Sequence, residues 1–148
     1  MTEPLLLDGT LGRLVRWLRL AGYDAAFVDS DELTVYRAAR QTDRLLLTRN
    51  TEFRQRRGIA SLVIEAEDVP DQLAAVAASV GPPPDSGPRC AVCNAILLPA
   101  NPASAKGRVP PYILRTAKSF ARCPSCHRIY WKGSHWDAIE ERLTGQQD

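Results

Sequence analysis

The chain has 148 residues, of which 45% are hydrophobic and 24% are charged, and its formal net charge is +2. This composition excludes a disordered tail, because the chain has enough apolar side chains for a core and little net charge. No stretch of about 18 apolar residues is present, so we expect no transmembrane helix and no membrane partner.

The first residues predict a cytoplasmic protein. The apolar run before Asp8 is only Leu5-Leu6-Leu7, which is too short for the apolar region of a secretory signal. Thiols stay reduced inside cells, so we expect the paired cysteines of this chain to bind metal rather than to form disulfides.

Charge and composition divide the chain into two parts. Residues 1–88 hold 10 Arg and no Lys against 13 Asp and Glu, a net charge of −3. Residues 89–148 hold nine Lys and Arg against four Asp and Glu, a net charge of +5, and all four cysteines. The segment 81–88, GPPPDSGP, is too rich in Pro and Gly for a helix or a strand. We therefore predict a first domain over residues 1–80, a linker over 81–88 and a second domain over 89–148.

The first part predicts alternating strands and helices. Short apolar runs indicate buried strands at 5–7, 25–28, 45–48 and 61–64. Apolar residues with the spacing i, i+3, i+4, i+7 begin at Leu11, before Gly22, and again at Leu73, and a further helix is expected from Glu32 to Arg40. This alternation predicts an α/β fold with a parallel sheet covered on both faces.

Polar residues follow each predicted strand. They are Asp8, then Asp29 and Asp31, then Arg49 and Asn50, then Glu65 and Glu67. Parallel strands end at one edge of their sheet, so we expect these side chains to border one crevice. Carboxylates that meet there need a cation, and Mg²⁺ or Mn²⁺ prefers oxygen ligands and can activate water for phosphodiester cleavage. The alternative is that they are only turn and helix-cap residues.

Arginines are expected to border this crevice. Arg13 and Arg16 lie beside the apolar face of the first helix, and Arg49 directly precedes Asn50. Guanidinium groups bind phosphate in bidentate fashion, so we interpret Arg13, Arg16 and Arg49 as contacts to a nucleic acid. The alternative is a solvated helix face.

Two CxxC pairs lie in the second part, Cys90 with Cys93 and Cys123 with Cys126, and 29 residues separate the pairs. Four thiolates predict a tetrahedral structural zinc site, and the metal would supply much of the folding free energy of so small a domain. Haem attachment, a redox CxxC and disulfides are the alternatives. Haem attachment and disulfides need export, and the residues after Cys126 predict a strand and a turn instead of the βαβ setting of a redox motif.

Two further features of the second part are expected. Asn94 and His127 follow the second cysteine of each pair and should take a positive φ. Ser134 and Asp137 resemble a capping box, which predicts a last helix through Leu143 and a packing role for His135 and Trp136.

Together these segments resemble the Mut-seven C-terminal RNase domain family, a branch of the PIN-like nucleases. The resemblance is carried by Asp8, by LGRLVRWLRLAGYD over 11–24, by Asp29-Ser30-Asp31, by LLTR over 46–49, by RCAVCN over 89–94, by VPP over 109–111, by CPSC over 123–126 and by YWKGSHW over 130–136. It implies a PIN-like, three-layer α/β/α domain with a parallel sheet, followed by a small zinc ribbon with four cysteine ligands. It also implies a metal-dependent ribonuclease with RNA as its partner.

The resemblance also implies roles for single residues. Asp8 and Asp31 would be catalytic, metal-binding acids with Asp29 beside them. The family usually has Asp after Leu-Thr-Arg, where this chain has Asn50. An amide oxygen can still bind a metal ion, but the lost charge predicts weaker binding. Glu52 could compensate, and Asn50 could equally be a helix N-cap.

Three functions therefore stay open. The leading prediction is a Mg²⁺- or Mn²⁺-dependent ribonuclease in which water held by metal at Asp8 and Asp31 attacks a phosphodiester. The alternatives are an inactive RNA-binding or adaptor protein, which Asn50 favours, and a PIN-type toxin controlled by a protein partner. A homodimer, the preferred RNA and the choice between endo- and exonuclease action also stay open.

Overall fold

The computed structural model describes residues 3–117 and 119–131. The predicted helix through Leu143, with His135 and Trp136, lies outside these residues. Within the described ranges, no helix combines the length and the apolar character that crossing a membrane requires.

Four parallel strands form the first sheet. They are β1 (Leu5–Asp8), β2 (Ala25–Val28), β3 (Leu45–Thr48) and β4 (Ser61–Val63), in the spatial order β2-β1-β3-β4. β1 lies at the centre, with Leu5 paired to Ala25 on one side and to Leu45 on the other. The α/β prediction with a parallel sheet is confirmed.

Three helices follow the first, second and fourth strands. They are α1 (Gly12–Ala21), α2 (Glu32–Thr42) and α3 (Val69–Val80), and short 3-10 helices lie at Gly9–Leu11 and Thr51–Gln55. α1 ends where the sequence predicts, directly before Gly22, whose φ of 115° suits a residue without Cβ.

The helices cover both faces of the sheet, which makes three layers. Alternate residues of β1 point to opposite faces, so Leu5 and Leu7 join the cluster with α1 and α3, and Leu6 packs with Val35 and Phe53 on the other face. Replacing one of these fully buried leucines with Ala would cost about 2–5 kcal/mol. Burial on both faces is why the strands have apolar runs without alternation.

A second, antiparallel sheet lies in the cysteine-containing part. Its strands are β5 (Leu98–Ala100), β6 (Phe120–Arg122) and β7 (Ile129–Trp131), in the order β5-β6-β7. Two short helices, α4 (Pro102–Ala105) and α5 (Pro111–Thr116), lie between β5 and β6. The sequence pattern predicts only β7, because strands of three residues are too short to show a period of two.

The Pro- and Gly-rich segment 81–88 packs against the end of α1. The hydroxyl of Tyr23 donates to the carbonyl oxygen of Gly81 at 2.7 Å, and the N–H of Arg89 donates to the carbonyl oxygen of Arg19 at 2.8 Å. The segment contains no helix or strand, as its composition predicts. The domain boundaries at residues 80 and 89 stay predictions.

Candidate functional site

The ends of β1 and β2 place two acids side by side at one edge of the first sheet. Asp8 ends β1, and only 5% of it is exposed. Asp8 pairs with Val28, so Asp29 follows beside Gly9. A Cβ atom on Gly9 would lie 2.2 Å from Oδ1 of Asp29. The Asp29 carboxylate therefore fills the space that a side chain at position 9 would need.

Two threonines orient the carboxylate of Asp8. Oδ1 accepts hydrogen bonds from the N–H of Thr10 at 3.0 Å and from its hydroxyl, and Oδ2 accepts from the hydroxyl of Thr48 at 2.5 Å. The Thr10 hydroxyl also accepts from the N–H of Arg49 at 2.9 Å. A carboxylate has about four acceptor positions, so one on Oδ2 remains for a cation.

The sequence analysis does not identify Thr10 or Thr48 as site residues, although Thr48 lies inside the LLTR segment. A threonine near a strand end is common and signals no function by itself. The functional indication is that two hydroxyl groups, one after β1 and one at the end of β3, donate to the same carboxylate. This arrangement depends on the register of β1 and β3.

Asp31 and Asn50 both cap helices. Oδ1 of Asp31 accepts from the N–H of Thr34 at 2.7 Å at the start of α2, and hydrogen bonding by Thr34 holds the pKa of Asp31 below its ordinary value. Oδ1 of Asn50 accepts from the N–H of Glu52 at 3.0 Å at the start of the second 3-10 helix. Each side chain keeps acceptor positions that capping does not use. Their metal-binding roles stay predictions.

The described residues contain one group of three or more His, Cys, Asp or Glu side chains whose ligand atoms converge, and the four cysteines form it. Over residues 3–117 and 119–131, the crevice acids form no such group. The hydrogen bond from the N–H of Thr34 directs the carboxylate of Asp31 toward the start of α2.

The three predicted RNA-binding arginines lie in two different clefts. Arg13 and Arg49 line an open cleft of about 560 Å³ beside the crevice, together with Glu67 and Asp68. Nη2 of Arg49 also donates to the carbonyl oxygen of Glu65 at 3.3 Å. Arg16 lines another cleft, which residues of the cysteine-containing part complete.

The four cysteines converge on one point. Their Sγ atoms all lie within 4.8 Å of one another, and those of Cys90 and Cys126 are 3.7 Å apart. Tetrahedral zinc with Zn–S bonds of about 2.3 Å separates its sulfurs by about 3.8 Å. The donor set and its spacing fit a structural zinc ion, so Cys90, Cys93, Cys123 and Cys126 could hold a metal such as zinc.

Two equivalent turns present these cysteines. Asn94 and His127 have φ values of 65° and 66°, which confirms the expected positive φ. The N–H of Asn94 donates to the carbonyl oxygen of Cys90, and the N–H of His127 donates to that of Cys123, both at 2.9 Å. Each CxxC pair thus forms one closed knuckle.

The thiols differ in acidity. Hydrogen bonds from the backbone and then the side chain of Arg128 lower the pKa of Cys126 to about 6. The pKa of Cys93 is raised to about 11, chiefly by its hydrogen bond with Cys126. One thiolate thus opposes ionisation of the next, and a divalent cation at the centre would remove that opposition.

The fold and the cysteine cluster define an α/β protein with a parallel four-stranded sheet flanked by helices and a four-cysteine centre that could form a zinc ribbon. The model of the Mut7-C RNAse domain family matches residues 3–143, and the chain belongs to this family. The family supports a nuclease-like function in general and implies RNA as the substrate. Comparisons with curated proteins and with solved structures found no match.

Proposed function

We propose that this protein is a Mg²⁺- or Mn²⁺-dependent ribonuclease whose reaction takes place at the carboxyl ends of β1 and β2. The observation that supports this most is the state of Asp8. Its carboxylate is buried and oriented by two threonines, yet no ion pair among the described residues includes it. A buried carboxylate without a cation costs free energy, which a bound metal ion would offset.

The hydrogen bonds around Asp8 also resemble those around carboxylates that bind metal ions. Carboxylates that bind metals are themselves hydrogen-bonded by neighbouring groups, which fix the direction of the free lone pair. Thr10 and Thr48 provide those hydrogen bonds and leave one position on Oδ2. Asp8 therefore fits a ligand that binds through Oδ2.

Each remaining residue of the crevice has a proposed role. Asp31 would be the second metal ligand, and Asp29 would accept a hydrogen bond from the attacking water. When bound, the metal supplies a more acidic water and a positive charge against the phosphate oxygens. Arg13 and Arg49, in the adjoining cleft, would hold neighbouring phosphates through bidentate hydrogen bonds.

An inactive RNA-binding adaptor is the second candidate, and Asn50 is the observation that favours it. Its side chain caps the 3-10 helix, and it contributes no charge to the crevice. A site with fewer carboxylates holds a divalent cation less tightly. In this function the protein would bind RNA without cleaving it.

The test compares RNA cleavage with Mn²⁺ by the wild type, Asp8→Asn and Asp43→Asn. Asp8→Asn should lower the rate about 100-fold or more, because the proposed ligand loses its charge. Asp43→Asn is the control. It removes the same charge ahead of β3, at the other edge of the sheet, at a φ of 54° that Asn tolerates.

The outcomes separate the two candidates. Equal cleavage by wild type and Asp8→Asn, on single-stranded and on structured RNA, contradicts the proposed site. If none of the three proteins cleaves but all bind RNA, the adaptor function is correct. The melting temperature with and without Mn²⁺ gives a second measure, because an ion that binds the folded state raises its stability.

A further inference from the structure

A basic cleft lies between α1 and the cysteine-containing part. It has a volume of about 510 Å³, and its lining includes Arg16 from α1, and Arg108, Arg128, Val92 and Tyr130 from the second part. All three arginines are exposed. We call this the basic cleft, to distinguish it from the cleft of Arg13 and Arg49 beside the crevice.

The charge of the basic cleft has one sign. Its charged lining residues, among those that the structure describes, are the three arginines alone, whereas the cleft beside the crevice also holds Glu67 and Asp68. Residues 89–148 have a net charge of +5. A zinc ion with four thiolates would contribute −2, and the second part would still be positive. The cleft therefore attracts anions.

A hydrogen bond to the second knuckle holds one of the arginines in place. Nη2 of Arg108 donates to the carbonyl oxygen of His127, the residue directly before Arg128. A guanidinium group has five N–H donors, so Arg108 keeps donors for a ligand. A partly anchored guanidinium loses less conformational entropy when it binds an anion.

We propose that the basic cleft binds the phosphate backbone of the RNA strand beyond the crevice. This inference rests on the proposed function, because it takes RNA as the substrate. Arg13 and Arg16 are three residues apart in α1, or about 4.5 Å along the helix axis. One lines the cleft beside the crevice and the other lines the basic cleft. A strand that crosses the exposed side of α1 therefore meets both.

The cleft recognises backbone rather than sequence. Arginines on phosphates position a strand without reading its bases. The hydroxyl of Tyr130, which could otherwise contact a base, already accepts from the N–H of Ala91 at 3.0 Å and lies 3.1 Å from Sγ of Cys90. The cleft thus adds affinity for long RNA of any sequence.

The test measures binding of two single-stranded RNAs in the Asp8→Asn background, in which we expect cleavage to be about 100-fold slower or more. One has about four nucleotides and the other about 16, the range of site sizes of single-strand-binding folds. Arg16→Glu is the main variant, since Arg16 belongs to α1 and lies outside both CxxC segments. Arg16→Gln with Arg108→Gln is the second, and its zinc content is measured. Arg115→Gln, an exposed position at the end of α5, is the matched control.

The double variant should bind the longer RNA about tenfold more weakly and the shorter RNA as well as the wild type. The dependence of log K on log salt should become shallower by about one for each arginine lost. Arg16→Glu should show the same selectivity for length, and Arg115→Gln should match the wild type.

Unchanged affinity for the longer RNA, or an equal loss for both RNAs, would overturn the proposal. The proposal would also be overturned if polyglutamate displaced the RNA as effectively as unlabelled RNA does. That result would indicate that the basic cleft binds an acidic protein. Weaker binding of long RNA together with normal cleavage by Asp8→Asn would support the cleft and contradict only the proposed metal site.

Discussion

Gly9 and Asp29 share a small volume at the end of β1. An ideal Cβ at position 9 would lie 2.2 Å from Oδ1 of Asp29, far inside van der Waals contact. Gly9 is not among the glycines with positive φ, so a side chain at position 9 would disturb the Asp29 carboxylate and not the backbone. The position of Asp29 thus depends on a residue that has no side chain.

Gly9→Ala should lower RNA cleavage about 10- to 100-fold while the melting temperature changes little. The new methyl group displaces the exposed Asp29 carboxylate, and a shift of about 1 Å at a reacting group can cost that much rate. Gly12→Ala is the control. Its Cβ would lie 3.6 Å from Cζ of Phe27, an ordinary contact. Equal cleavage by both variants would mean that the position of Asp29 does not matter.

Asn50→Asp should raise Mn²⁺ affinity and RNA turnover, because it adds a carboxylate near Asp8. Asp is as good an N-cap as Asn, so the hydrogen bond to the N–H of Glu52 should persist. Repulsion from the other acids should slightly destabilise the metal-free protein, and added Mn²⁺ should reverse that loss.

Paired measurements of melting temperature and turnover, with and without Mn²⁺, test this change. A stability change without any gain in turnover would favour the adaptor function. If the wild type already cleaves as fast as the variant, the missing charge at position 50 has no importance and Glu52 is the next residue to replace.

Among the elements, the two knuckles are those that a bound metal ion would stabilise most. They support a sheet of three-residue strands, and such a small sheet has little core of its own. Cys90 and Cys123 are completely buried, and they form a separate cluster with Leu97. A zinc ion would join two chain segments that lie 29 residues apart.

Cys123→Ser should release the metal and unfold the second sheet, because one thiolate fewer leaves the knuckles without a closed site. Ser125→Ala, an exposed change in the same knuckle, should keep one zinc per chain. Elemental analysis and circular dichroism of both variants in reducing buffer measure the effect. A wild-type preparation without zinc, or an unchanged metal content in Cys123→Ser, would show that the cysteines do not form a zinc site.

At the scale of the whole molecule, the first knuckle is attached to the start of β2. Nδ2 of Asn94 donates to Oδ1 of Asp24 at 2.7 Å, and its Oδ1 accepts from the N–H of Ala25 at 3.2 Å. Arg44 completes the group with a 2.9 Å contact to Asp24, and Arg19 donates to the carbonyl oxygen of Ala91 at 2.9 Å. The cysteine-containing part thus packs directly on the first sheet.

The junction should weaken at acid pH. Burial opposes ionisation of Asp24, but hydrogen bonds from Arg44 and Asn94 outweigh it and hold the pKa below its ordinary value. A lowered pKa means that ionised Asp24 stabilises the folded state above a pH of about 4, and that this contribution disappears as the pH falls further.

Asn94→Gly should therefore lower the free energy of unfolding at neutral pH by about 1–2 kcal/mol. Below a pH of about 4, the variant should lose less stability than the wild type does. Glycine accepts the φ of 65°, so the knuckle backbone should persist. His127→Gly makes the same change in the second knuckle, at a φ of 66°, and is the control. If the free energy of unfolding falls with pH by the same amount in the wild type and in Asn94→Gly, this account of the junction is wrong.

The strands of the first sheet, the helices that flank it, the family and the four-cysteine cluster could all be predicted from the sequence. Buried parallel strands need apolar runs, helices on a sheet need a repeating apolar face, and a metal knuckle needs two cysteines at fixed spacing. Each of these requirements acts within a few residues of the chain. The positive φ of Asn94 and His127 followed from the same local chemistry.

Contacts between side chains that are distant in the sequence could not be predicted in this way. The tertiary structure paired Asp8 with Thr48 across 40 residues, joined Asn94 to Asp24 across 70, and separated Arg16 from Arg13 by completing its cleft with Arg108 and Arg128. These meetings depend on strand register and on how one sheet packs against another. No pattern of neighbouring residues predicts these contacts, because the local sequence around each residue is compatible with its secondary structure whether or not its distant partner is present.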